Sequence, residues 1–278
     1  MRLGGGIVKS YSNPEEWIKI VKELRYSAVV APMKHDDPED LVKAYVKEAK
    51  DADVIIAEVG AWSNPLSLDD DVRKKALEHN KNQLDLADRI GARCCVNIAG
   101  TKGEIWDGPY RENYEADTYA LIVDTVREII DAVKPKNTFY TLEPMPWMYP
   151  DSPDSYLKLI KDIDRKEFAV HLDTVNMINC PQRYLFNDEF IKECFKKLGP
   201  YIRSCHAKDV IMDSKLTTLI REVAPGKGTF NYSVFVREVE KLNPDLTVMI
   251  EHLSTQEEYI EAFEYIEGVA RKNGVSLR

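Results

Sequence analysis

Thr138-Phe139-Tyr140-Thr141-Leu142-Glu143-Pro144, a helical pattern over Ser155–Ile163, then Phe168-Ala169-Val170-His171-Leu172-Asp173-Thr174: this segment holds the unit from which the chain is built. Two short apolar runs flank an amphipathic helix, as a βαβ unit requires. Both runs are apolar on successive residues, not alternate ones, which suits strands buried on both faces of a parallel sheet. Each run ends in an acid.

The same alternation extends in both directions. Leu3–Val8, Ser27–Ala31, Asp53–Val59 and Arg93–Ala99 precede this segment, and Tyr201–Cys205 and Thr247–Ile250 follow it. Helical patterns separate them: Glu15–Leu24 behind Pro14, a helix behind Pro38, Asp69–Ile90, Tyr114–Val133, Asp188–Leu198, Tyr232–Leu242 and Glu257–Lys272. Pro14 after Asn13 suits a first helical position, Gly91 a C-terminal stop and Thr255 a capping region. Spread over 278 residues, the eight units average about 35 residues, the size of a βαβ repeat. Right-handed crossovers repeated without interruption predict a (β/α)8 TIM barrel, one domain over 1–278. The competitor, an open doubly wound sheet, commonly uses fewer strands. Gly4-Gly5-Gly6 does not meet the GxGxxG pattern and enters the first strand, which argues against a dinucleotide cradle.

Composition narrows the function. With 38 Lys+Arg against 47 Asp+Glu the net charge is −9, which disfavours long-range attraction to nucleic acid or an anionic membrane. No apolar stretch approaches the ~20 residues of a membrane helix, and the N-terminus lacks a leader pattern, so the expectation is a cytoplasmic protein without nucleic-acid or membrane partners. The five cysteines lack CxxC spacing and read as reduced, buried thiols.

Functional groups of a barrel collect at the C-terminal ends of its strands. Glu143, Asp173, His206 and Glu251 each end one of the last four runs. Three bare carboxylates meeting there would repel and resist desolvation, and a divalent cation relieves both problems. Three oxygen donors and one imidazole suit Mn²⁺, Mg²⁺, Co²⁺, Fe²⁺ or Zn²⁺. Singly, each residue has a plainer reading: an acid ending a strand caps the next helix or pairs with a lysine, and a lone histidine packs in a core.

Glu58-Val59-Gly60-Ala61-Trp62, His79-Asn80, Leu142-Glu143-Pro144, Leu172-Asp173-Thr174, His206-Ala207-Lys208-Asp209 and Pro225-Gly226-Lys227-Gly228 resemble recurring segments of the xylose-isomerase-like superfamily. The sugar phosphate isomerase/epimerase type within it includes ketose 3-epimerases, hydroxypyruvate isomerases and inosose dehydratases. The resemblance spans nearly the whole chain. It implies a divalent metal, often Mn²⁺, on Glu143, Asp173, His206 and Glu251, with Glu143 and Glu251 as acid and base. It also implies a sugar or cyclitol substrate and a homo-oligomer. The chemistry would be α-proton abstraction next to a carbonyl through an enediolate, with carboxylates on both faces of the sugar.

Departures from that pattern lie in the substrate shell. Asn176 stands where ketose 3-epimerases have a substrate-binding histidine, Met212 where they have an arginine and Tyr149 where they have a glutamate. Lys208, in the His-x-Lys-Asp form, resembles the dehydratase and isomerase branches; it either polarises a substrate oxygen or pairs with an acid. Trp62, Trp106, Tyr110, Trp147 and Tyr149 fall in loops after strands three to five, where they stack on a sugar or pack loop on loop. His35 and Glu58 are further substrate-binding candidates, together with Asn176. His171 should face the interior, and His252, next to Glu251, should point away from the site if strand geometry persists. Pro225–Gly228 reads either as a phosphate loop or as a plain turn.

Three other functions compete with an isomerase or epimerase. One is an inosose-dehydratase-like lyase, which begins with the same carbanion. Another is a non-catalytic metal-dependent carbohydrate-binding subunit. An apurinic-site endonuclease would need a richer three-metal constellation and a basic face, and five histidines with net charge −9 argue against it.

Overall fold

The computed structural model describes all 278 residues. In chain order the elements are β1 (Arg2–Gly5), α1 (Pro14–Glu23), β2 (Ala28–Val30), α2 (Glu39–Asp51), β3 (Ile55–Gly60), α3 (Asp70–Ile90) and β4 (Cys94–Asn97). There follow α4 (Ala116–Val133), β5 (Tyr140–Leu142), α5 (Pro153–Ile163), β6 (Phe168–Leu172), α6 (Pro181–Leu185), α7 (Asn187–Leu198) and β7 (Ile202–Ala207). The chain ends with β8 (Asp209–Asp213), β9 (Leu219–Val223), α8 (Tyr232–Leu242), β10 (Thr247–Ile250) and α9 (Gln256–Lys272).

Helix starts sit where the sequence supplies partners for free amides. Asn13 accepts from Glu16 N–H at 2.8 Å with Pro14 in the first turn. Ser152 and Thr255 form capping boxes, and Gly91 closes α3 in the left-handed region at φ 68°. Eight strands pair in parallel in the order β1-β10-β7-β6-β5-β4-β3-β2 and close into a barrel, leaving no free edge. The (β/α)8 expectation is met. Their helices pack outside and bury one contiguous apolar core, while the strands are buried on both faces.

Two features were not foreseen. The antiparallel hairpin β8–β9 is inserted between β7 and α8, outside the barrel sheet. Its strands, Asp-Val-Ile-Met-Asp and Leu-Ile-Arg-Glu-Val, flank a polar turn, and an eight-unit count had no place for them. The short α6 also precedes α7. No helix is long and apolar enough to cross a membrane. The cysteines are free thiols, and burial pushes those of Cys94, Cys95, Cys194 and Cys205 up.

Inside the barrel, a separate small cluster is apolar. Ala28, Ala57 and Met249 form their own buried cluster beside Gly4. A Cβ at Gly4 would overlap the Ala28 carbonyl and reach Met249 Cε at 3.1 Å. Backbone cannot yield as a flexible side chain does. Gly4→Ala is therefore expected to destabilise the fold by at least about 2 kcal/mol, read as a lowered urea midpoint at unchanged slope.

Candidate functional site

Four strand ends bring the exit residues together. One ligand atom each from Glu143, Asp173, His206 and Glu251 lies within 4.8 Å of the others. His206 Nδ1 is 3.0 Å from Glu143 Oε1 and 2.9 Å from Glu251 Oε2. β5 and β10 carry the glutamates, and β6 and β7 stand between them in the barrel, so Asp173 and His206 are flanked by Glu143 on one side and Glu251 on the other. The expected convergence of these four residues is present.

Lys208 stands in the middle of the cluster and pairs with acids, one of the two roles expected for it. Its side chain is 1% exposed, with Nζ 2.9 Å from Asp173 Oδ2, 2.8 Å from Glu251 Oε2 and 3.4 Å from Glu143 Oε1. Burial opposes its charge, but Asp173, Glu143, Glu251 and Glu222 outweigh it and hold the ammonium well above the usual lysine range. Burial likewise opposes the charge on His206, and Glu251, Glu143 and Glu58 keep its imidazole well above the ordinary range. Against the pull of burial, Lys208 and His206 lower Asp173, and His206 and Lys208 hold Glu251 well below its usual range. The centre is a set of mutually neutralising buried ions.

The lone pairs are not all used. Asp173 Oδ1 accepts from Asn176 N–H at 2.8 Å, but Asp173 Oδ2 and Glu251 Oε2 are buried without a directed hydrogen bond. Lys208 Nζ pairs with both at 2.9 and 2.8 Å, and His206 Nδ1 with Glu251 Oε2 at 2.9 Å. Two such oxygens, a third carboxylate and an imidazole nitrogen fit a divalent cation of the oxygen-preferring class. A second group that could hold a metal, Glu58, His171 and His206, shares His206 with the first.

That second group works as a support beneath the first. Glu58 lies within β3, two residues before its end, so it sits a layer below the strand exits. Its Oε1 meets His171 Nε2 at 3.0 Å and accepts from Ser204 Oγ at 2.5 Å, while Oε2 meets His206 Nε2 at 3.2 Å. Thr247 Oγ1 then donates to Ser204 Oγ at 2.8 Å. Burial raises the Glu58 carboxyl, but His171 and His206 more than reverse it and keep Glu58 ionised. A carboxylate behind one imidazole nitrogen aims the other nitrogen into the centre. Glu58 therefore does not reach the cavity where a substrate-binding residue would act.

Above the centre opens a cavity of about 940 Å³, lined by Trp62, Trp106, Trp147, Asn176, Glu143 and Glu251 among others. Asn176 Nδ2 donates to Glu143 Oε1 at 3.1 Å, so it steadies the carboxylate as well as facing the cavity. His35 is elsewhere: its ring stands edge-on 6.2 Å from that of His79 on α3, and it does not line the cavity. Tyr149 packs edge-on against Tyr114 and Tyr119, and Tyr110 OH accepts from Ile105 N–H at 2.8 Å, so both serve loop packing.

His252 overturns the expectation that it points away. It follows the end of β10 at φ 58°, which breaks strand alternation and turns its ring to the cavity, 3.1 Å from Glu222. Glu222, Arg221, Ile220 and Thr218 line the same wall from the unforeseen hairpin. Pro225–Gly228 is a turn: Asp209 accepts from Gly226 N–H at 2.9 Å and from Val210 and Phe230 N–H at 2.8 Å each, so the carboxylate occupies the place a phosphate would need.

Two variants probe this architecture. Glu58→Gln is expected to weaken Mg²⁺ or Mn²⁺ binding about 10- to 100-fold by calorimetry, because His206 loses its anionic support. Lys208→Met removes the ammonium shared by three buried carboxylates. It is expected to cost the metal-free protein about 3–5 kcal/mol, with part of the lost melting temperature recovered on adding Mn²⁺.

Comparison with known proteins agrees with the architecture. No curated protein sequence matches the chain. Among solved structures, a D-tagatose 3-epimerase-like protein is 20% identical with a TM-score of 0.71, covering 99% of this chain and 98% of its own. The probable 3-DHS dehydratase AsbF of Bacillus anthracis is 17% identical with a TM-score of 0.70, covering 95% and 96%. A xylose isomerase-like TIM barrel protein from Mycobacterium smegmatis, in complex with magnesium, is 20% identical with a TM-score of 0.67, covering 94% and 90%. At these identities the likeness speaks for the fold. The family model described as xylose isomerase-like TIM barrel matches residues 16–269, nearly the full length, and the chain belongs to that family.

Proposed function

We infer that the protein is a divalent-metal-dependent isomerase or epimerase acting on a sugar or keto-polyol by α-proton abstraction. The observation that carries this reading is the convergence of Glu143, Asp173, His206 and Glu251, of which Glu143 and Glu251 line the cavity. Those four residues would hold the cation, Mn²⁺ or Mg²⁺ by preference for oxygen donors. The cation would supply Lewis acidity toward the neighbouring oxygens of a bound keto-polyol.

The remaining work belongs to the chain. A polyol seated over Asp173 and His206 has Glu143 on one flank and Glu251 on the other, because β5 and β10 bracket β6 and β7. One carboxylate takes the proton from the carbon next to the carbonyl, and the other returns a proton from the opposite side. Inversion at that carbon is epimerisation; return at the neighbouring carbon, with the hydroxyl proton shifted, is isomerisation. Asn176 orients Glu143, and the charged Lys208 offers a fixed positive group beside the developing enediolate. Such groups act without reorganisation because their own pairing already holds them.

One observation favours a lyase of the same family as a second reading. A proton exchanged between two carboxylates needs no lysine, yet Lys208 is buried among them, and an ammonium there would stabilise a departing hydroxyl. The fold is also shared with a probable dehydratase and with an epimerase-like protein. Both reactions begin at the same carbanion.

Metal-loaded protein incubated in D₂O with a panel of keto-sugars and inososes separates them. Deuterium at the α-carbon together with a new epimer or aldose supports the isomerase, and a dehydrated product supports the lyase. Saturable binding of a keto-sugar with no exchange would sink both and leave a binding protein. Glu143→Gln and Glu251→Gln are each expected to lower turnover at least about 100-fold while the melting temperature stays near that of the parent.

A further inference from the structure

The cavity is larger and more lopsided than a centre for one small polyol needs. Cavities of about 300–1,000 Å³ enclose drug-sized ligands, and this one, at about 940 Å³, lies at the upper end of that span. All candidate cation ligands come from β5, β6, β7 and β10. Over β3 and β4 the wall is instead Trp62, Ile98 and Trp106, continued by Trp147 after β5. Asp107 is the one charged residue on that side, and its carbonyl is occupied by Trp147 Nε1–H at 2.6 Å.

These indoles are held in place by the chain itself. Trp62 leans on the end of β3, where its Nε1 would stand 2.5 Å from a Cβ at Gly60; the missing side chain makes its seat. The loops bearing Trp106 and Trp147 are tied together by the buried Asn113, whose Nδ2 donates to Gly108 O at 3.0 Å and Trp147 O at 3.1 Å. Asn113 Oδ1 in turn accepts from Thr101 Oγ1 at 2.5 Å. Trp62 nevertheless remains 42% exposed, and Trp106 and Trp147 are half-buried beside open cavity. Apolar surface fixed in advance and left facing a cavity is what a binding wall presents, since the ordering cost is met before the ligand arrives. Flat indole faces suit the C–H face of a pyranose or an aryl ring, and the lack of a cation on this side disfavours phosphate.

We propose that this tryptophan limb is a subsite for a second ring, so that the substrate is a glycoside of the keto-sugar, carrying an aryl or sugar aglycone, and not a free monosaccharide. The assignment rests on the reading of the carboxylate centre as the sugar end. A ligand with its reacting ring at Glu143 and Glu251 extends its second ring across Trp147 toward Trp106 and Trp62.

The fourth tryptophan, Trp17, is buried in the core, so fluorescence changes on ligand addition report the cavity. Mg²⁺-loaded full-length protein is titrated with glucose, methyl glucoside, phenyl glucoside and cellobiose. Phenyl glucoside or cellobiose is expected to bind at least about tenfold more tightly than methyl glucoside; the first result identifies an aryl aglycone and the second a sugar. In Trp106→Ala that ratio should fall close to one. Trp62→Ala, at an exposed position whose loss does not threaten folding, should lower it as well. Equal affinity for all four ligands, no saturable response to either two-ring ligand, or a ratio that survives both substitutions would overturn the subsite. Its fate is separable from that of the reaction. Two-ring preference without proton exchange in D₂O keeps the subsite and removes the chemistry, whereas exchange on free keto-sugars with no such preference does the reverse.

Discussion

Holding several carboxylates side by side out of water is the constraint around which this barrel is organised. Taking each carboxylate out of water costs several kcal/mol, recovered only by close opposite charge with good geometry. Here Asp173, Glu251 and Glu58 are answered by His206 and Lys208, both kept charged by the same acids they neutralise. Neither cation can be removed without leaving buried carboxylates unanswered, whereas the acids outnumber the cations. Four acids, Glu58, Glu143, Asp173 and Glu251, face two cations, His206 and Lys208, and that excess of negative charge links the stability of the fold to the chemistry of its mouth.

The barrel meets the constraint by layering. Gly4, Ala28, Ala57 and Met249 fill one level with apolar atoms. A polar level of Glu58, His171, Ser204 and Thr247 is closed on itself by hydrogen bonds. The exit residues follow, and two of them, Glu143 and Glu251, line the cavity. A polar level inside a barrel is tolerable only when nearly every donor and acceptor is paired, and this one leaves His171 Nδ1 as its exception. Its return is rigidity: His206 cannot rotate without breaking its bond to Glu58.

Much of this was readable because strands and their exits leave a periodic trace. An acid or histidine directly after an apolar run marks a strand end, and closure of the barrel carries such ends to one axis whatever the helix lengths between them. Glu143, Asp173, His206 and Glu251 were legible for that reason. Glu58 was placed inward correctly but one level too high, since the pattern of a buried parallel strand does not show where pairing stops. His252 was misjudged because a single left-handed residue after β10 reverses its direction, and nothing in Glu-His-Leu announces one. His35 sits beyond β2, where a loop of ordinary composition turns outward. The hairpin was hidden by its function as an insertion: Asp209–Val223 has strand character, yet the count of eight was already complete without it.

That hairpin belongs to the electrostatics of the centre as much as to the wall of the cavity. From β9, Glu222 reaches Lys208 Nζ at 3.6 Å and His252 Nδ1 at 3.1 Å, and His252 Nε2 lies 3.5 Å from Glu251. The hydrogen bond that His252 donates to Glu222 raises its pKa against the opposing pull of burial, so positive charge is favoured where two acids converge. Lys208 thus has a fourth carboxylate partner that comes from outside the barrel sheet. Any cation that draws Asp173 Oδ2 and Glu251 Oε2 to itself weakens their hold on the ammonium and raises the share carried by Glu222. Glu222 and His252 thus belong both to the charge balance of the centre and to the lining of the cavity.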